Sequence, residues 1–254
     1  MQSGCGVTIP TMSNPQSPIS AATPSNNLDA RSRHALGFLL AAQAMVVLLA
    51  GLNLAWEGTR APLPVGEFVR WREMFSLGFA TPASVVLLFL TLWTLERGRR
   101  DATGPLTLVA LAACWLGISM GVHEPLSAVR PAAGPRLSES FWFWREIFSH
   151  AVFFAAYATL SLAVVWSQVR NPLAQPMSCR AAVLSIGSGV LLGAGIFCSQ
   201  LHAKDIRADL VVMALTLAGI EALRRGRPFA LLPLNVTLEL GYGLSLAALA
   251  LVKL

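Results

Sequence analysis

Repeated apolar runs of about twenty residues, the length needed to cross a hydrocarbon core of ~30 Å, leave this chain few folds to choose from. They fall at about 35–56, 75–95, 105–122, 141–166, 181–198, 206–223 and 228–252. Backbone groups inside a bilayer must find partners within the chain, so the runs predict an all-α, polytopic integral membrane bundle of about seven transmembrane helices. Composition agrees, since 55% of the 254 residues are hydrophobic and only 13% charged, with a mean hydropathy of +0.60. A soluble domain of that balance would struggle to stay in solution. The formal charge of +6 does not point to nucleic acid, because lysine and arginine sit in short clusters between apolar runs rather than along one face.

Residues 1–32 are rich in Ser, Pro, Asn and Thr without an apolar period, which predicts a disordered tail ahead of a transmembrane domain at 33–254. No apolar run precedes Arg31, so the tail does not read as a signal peptide. Cys5, Cys114, Cys179 and Cys198 have no spacing that suggests a disulfide framework or a zinc ribbon. Between the first two runs, residues 68–74 read as a turn of interfacial helix. Pro125 is expected to stop the third helix near Val122.

Seven crossings place the termini on opposite sides and assign each connection to one face. The face of the N-terminal tail collects Arg31 and Arg33, the stretch Glu96 to Asp101, the turn from Arg170 to Arg180, and Arg224 to Arg227. These connections are short and dense in arginine. The positive-inside rule therefore predicts a multi-pass cell (inner) membrane protein with a cytoplasmic N-terminus.

The same alternation gathers chemistry on the opposite, non-cytoplasmic face. His123 and Glu124 end the third run, Glu146 and His150 begin the fourth, and His202 and Asp205 lie between the fifth and sixth. Imidazole with carboxylate is a ligand set for a transition metal such as zinc, copper or iron, and a carboxylate can also act as base toward a metal-bound water. His123, His150 and His202 are the candidate metal ligands, with Glu124, Glu146 and Asp205 as ligands or bases. In a regular α-helix Glu146 and His150, at i and i+4, share one face. The bland alternative is a set of wetted residues at helix ends, partly paired with Arg145, Lys204 or Arg207.

Glu239 falls near the middle of the seventh run, on a face with Asn235 and Tyr242, and no cation is evident at its depth. It is the remaining candidate catalytic or proton-relay residue, with Gln43, Thr81 and Ser84 as possible neighbours. In the fifth run, Gly189 and Gly193 have the spacing of a close helix–helix contact. The tryptophans, including Trp56, Trp142, Trp144 and Trp166, lie where an interfacial belt is expected.

The run Phe141-Trp-Phe with Glu146, Phe148, Ser149 and His150 resembles, over that short stretch, a segment of the C subunit of membrane copper monooxygenases. The Asp-x-x-x-His copper-ligand spacing of that subunit does not occur here, so the resemblance implies copper among the metals without implying a family. Three functional classes follow. The first is a metal-dependent site, hydrolytic or redox, acting on a lipid or other apolar substrate that reaches it from the bilayer. The second is a small proton-coupled transporter using Glu239, and the third an accessory subunit of a membrane complex whose partner proteins the sequence does not identify.

Overall fold

The computed structural model describes residues 24–55, 62–63, 66–99, 101–129, 135–200 and 207–253. The expected tail up to residue 23 lies outside them. Helix α1 spans Pro24–Ala55, so helix begins ahead of the domain boundary expected at residue 33. A two-stranded antiparallel ribbon follows, β1 (Pro62–Leu63) against β2 (Gly66–Arg70), then short α2 (Trp71–Phe75) and a π-helical stretch, Ser76–Ala80. The interfacial helical turn expected at 68–74 is thus strand up to Arg70. Phe68 and Val69 are poor helix formers and good strand formers, and the pairing with β1 decides between them.

The remaining helices are α3 (Thr81–Glu96), α4 (Thr103–Val129), α5 (Pro135–Trp142), α6 (Ser149–Arg170), α7 (Cys179–Gln200), α8 (Arg207–Arg224) and α9 (Pro233–Lys253). Helix α4 does not stop at Val122, and Pro125 sits inside it. Proline costs one backbone hydrogen bond and a clash with the preceding turn. Packing of α4 along α6 outweighs that cost. A second π-helical stretch, Phe143–Phe148, joins α5 to α6.

The long helices close into a ring in the order α1, α3, α4, α6, α8, α9, α7 and back to α1, with α6 also touching α3 and α9 and α1 also touching α9. Two ends can be told apart by the groups that meet there. At the arginine end, Arg31 of α1 donates to the carbonyl of Arg97 beyond α3, and Arg99 donates to the carbonyl of Arg170 at the end of α6. At the histidine end, Ser119 of α4 donates to the carbonyl of Ser149, the first residue of α6, at 2.7 Å.

The closest approach is between α7 and α9. A Cβ on Gly189 would lie 2.9 Å from both Leu240 Cβ and the carbonyl oxygen of Thr237, and one on Gly193 would lie 3.2 Å from the Gly241 carbonyl. The missing side chains let the backbones touch, and Thr237 and Ser245 then donate across the seam to the carbonyls of Ser185 and Gly193. This is the role expected of the glycine pair.

The bundle buries many polar side chains beside its apolar core and is apolar outside. Ser149, Ser185, Ser188, Gln168, Asn235 and Thr237 are fully buried, while Val183, Val211, Leu215 and Leu251 are more than half exposed. Such a distribution suits a lipid solvent, because buried polar groups find partners between helices and the outer surface need not face water. Among the described residues five helical stretches are long and apolar enough to cross a membrane: Leu77–Glu96, Thr103–Leu126, Glu139–Arg170, Cys179–Cys198 and Pro233–Val252. The chain is a multi-pass membrane protein on that ground. The seven crossings expected are not all among them. Helix α8 falls short because Arg207, Asp209, Glu221 and Arg224 crowd its 18 residues, and α1 is also not one of the five.

Candidate functional site

Two long helices that neighbour in the ring carry the histidines, α4 with His123 and α6 with His150. Their imidazole rings stack with centroids 5.4 Å apart and planes inclined at 25°. Glu124, next along α4, is buried, with 5% of its side chain exposed, and its Oε1 lies 3.5 Å from His123 Nδ1. Its other oxygen, Oε2, is buried without a hydrogen-bond partner among the described residues. A carboxylate oxygen shut away from water and left unbonded is costly, and it marks a place where a proton, a water or a cation would be stabilised.

Glu146 lies in the π-helical stretch Phe143–Phe148, four residues before His150. Its carboxylate pairs with Arg145 at 3.1 Å, while Arg145 Nε is buried without a hydrogen-bond partner among the described residues. Ser149 donates back to the Arg145 carbonyl, fixing the step from π-helix to α6.

His202 and Asp205 lie outside the described residues, in the segment 201–206 between α7 and α8. Topology brings both ends of that segment to the histidine end. Among the described residues no three His, Cys, Asp or Glu side chains converge as a metal-binding group. The described part thus offers an imidazole pair with a buried carboxylate alongside, and a third ligand would have to come from 201–206.

Glu239 is not without a cation. Arg224, at the end of α8, donates through Nε to its Oε1 at 3.1 Å and also pairs with Glu221. The helix starts later than the hydropathy suggests, because Phe229–Leu231 form a 3-10 turn before Pro233. Glu239 is therefore six residues, roughly 9 Å, from the start of α9, near the arginine end rather than mid-membrane. Its expected companions separate: Asn235 is fully buried with neither side-chain polar atom hydrogen-bonded among the described residues, and Tyr242 shares a hydrogen bond with Ser161 of α6 at 2.9 Å. Gln43 accepts from Ser188 of α7 instead of meeting Glu239.

One feature was invisible in the sequence. A cavity of about 140 Å³ lies inside the ring, walled by α1, α3, α6, α7, α8 and α9, with Gln43, Ser84, Tyr157, Ser161, Thr216 and Tyr242 as its polar members. Its wall on α6 includes Phe154, Tyr157, Ser161 and Val164, and His150 lies one turn before Phe154 on the same stripe. Six helices contribute two or more residues each, and no local pattern announces such a set. Compared with protein families, curated proteins and solved structures, the chain matches none.

Proposed function

We propose that this protein is a seven-crossing membrane protein of the cell membrane, with its arginine end in the cytoplasm, carrying a metal-dependent site at the histidine end. His123 and His150 supply two imidazoles to a transition metal (zinc, copper or iron), and His202 supplies the third. Glu124 holds His123 through Nδ1, which leaves Nε2 as the coordinating nitrogen, a common arrangement for ligating histidines. Glu146 and Asp205 are the further acids within the same end, as ligands or as bases toward a metal-bound water. Helices α1 and α8 complete the crossings, α8 with its charges held at its two ends. An apolar or lipid substrate would reach the site from the bilayer.

The observation that supports this reading is the stacked imidazole pair beside a buried carboxylate with an unbonded oxygen. Elemental analysis of the purified protein tests it. About one metal per chain is expected in the wild type, with near-complete loss in a His150→Ala/His202→Ala variant. A metal-free wild type overturns the reading and leaves the pair as a proton relay.

A further inference from the structure

We infer that the cavity inside the ring is a binding site for an uncharged, lipid-soluble molecule with an apolar body and one carbonyl oxygen. This deepens the reading above by naming a substrate class. It rests on that reading only in taking the bound molecule to be what the histidine end acts on.

The body of the ligand follows from the wall. Leu39, Leu88, Val164 and Leu238 are buried and apolar, and among the described residues no charged side chain lines the space. A charged head placed there would lose its hydration with nothing to offset the loss, which excludes a fatty-acid carboxylate or a phosphate. At about 140 Å³ the space is close to the roughly 150 Å³ at which aliphatic-lined cavities in proteins take up benzene.

The oxygen follows from the polar members. Ser84 is buried, 4% exposed, and its Oγ has no hydrogen-bond partner among the described residues. Tyr157 adds a second hydroxyl to the wall from α6. Other polar members already bond within the protein: Tyr242 to Ser161, Gln43 to Ser188, and Thr216 to the carbonyl of Val212. Two neutral O–H donors without a carboxylate or cation beside them suit a carbonyl acceptor.

The direction of access follows from burial. Wall residues toward the arginine end are closed off, Leu39, Val164, Thr216 and Leu238 all being at most 4% exposed. Those toward the histidine end, Val47, Phe153, Phe154, Ile196 and Val212, are half-buried. Ser84 and Met213, also in the wall, are buried as well, so access runs past the half-buried residues of α1, α6, α7 and α8.

The test uses metal-stripped full-length protein in lipid nanodiscs, so that loss of the metal reading does not decide it. The probes are methyl propyl ketone, labelled with ¹³C at the carbonyl and matching benzene in its number of heavy atoms, and pentane as the hydrocarbon of equal length. The wild type is expected to bind the ketone saturably, one per chain, with its ¹³C=O band below the frequency in empty nanodiscs. A Ser84→Ala/Tyr157→Phe variant, which keeps the cavity's shape, is expected to bind ketone about tenfold more weakly or worse and pentane unchanged, as loss of one or two hydrogen bonds requires. Non-saturable uptake, an unshifted carbonyl band in the wild type, or equal weakening for both probes overturns the inference.

Discussion

The two ends of the bundle hold similar side chains in different states. At the arginine end the carboxylates of Glu96, Asp101, Glu221 and Glu239 each have a guanidinium within 4.0 Å, supplied by Arg99, Arg170 and Arg224. Asn171 also donates to Glu96 and to the end of α6. At the histidine end Glu124 keeps one oxygen unbonded, Arg145 keeps Nε unbonded, and the helix feeding α6 is π-helical. A buried charge is tolerated when a counter-charge compensates it and is expensive otherwise. The difference thus lies in counter-charge rather than in complete satisfaction, since at the arginine end Glu96 Oε2, Ser167 Oγ and both polar atoms of Asn235 are also without hydrogen-bond partners among the described residues.

The strongest way to break the contrast is to dismantle the charge-paired end. Arg170 spans Glu96 and Asp101 and stacks over Trp166 at 5.4 Å. Arg170→Ala removes a guanidinium from beside Glu96, whose side chain is only 1% exposed, and about 2–4 kcal/mol of stability should go with it, seen as a lower unfolding temperature in detergent. Wild-type stability in that variant would mean that the arginine end is not the structural one.

A smaller effect of different kind is expected at the other end. Glu124→Gln removes a charge with an unbonded oxygen, so unfolding should shift by less than about 1 kcal/mol while metal affinity falls about 10–100-fold, since the carboxylate holding His123 is lost. Titrating the metal-stripped variant against wild type measures both. A loss of stability equal to that of Arg170→Ala would erase the distinction between the ends.

The smallest effect is a pH dependence confined to the arginine end. The hydrogen bond from Arg99 holds the exposed Asp101 carboxyl below its ordinary value of 3.8, with Arg170 and Arg99 adding attraction. A carboxyl whose value is lowered on folding adds stability above the unfolded value and loses it as pH falls through the folded one. The wild type should thus unfold slightly above Asp101→Asn at neutral pH, and the gap should start to close near pH 3.8 and vanish only below the lowered value. A gap independent of pH would assign the effect of the substitution to something other than charge.

How much of this could be read from the chain depends on the range of the interaction concerned. The Gly189 and Gly193 contact is written at i,i+4 on one helix and needs only a neighbour, so it was readable. The meeting of His123 with His150 followed from alternation, because short connections leave consecutive helices little freedom. Glu239 was misjudged for a local reason, since hydropathy counts residues 228–232 as membrane helix while Pro233 restarts the chain after a 3-10 turn. That displacement is what brings Arg224 within reach. The cavity depends on how six helices close around one axis, which the order of residues along any one of them does not record.

The wide turns at Phe143–Phe148 also set what lies on either side of them. One surplus residue per turn offsets the helix upstream from the helix downstream, much as a keyed coupling offsets two shafts. Trp142, Phe143 and Trp144 form an outward aromatic collar, nearly half of each exposed, while Phe154, Tyr157, Ser161 and Val164 downstream face the cavity. Anchoring depth and the inner wall are thereby uncoupled along a single helix. Substitutions in the collar can retune how the protein sits in lipids of different thickness without rotating the interior stripe.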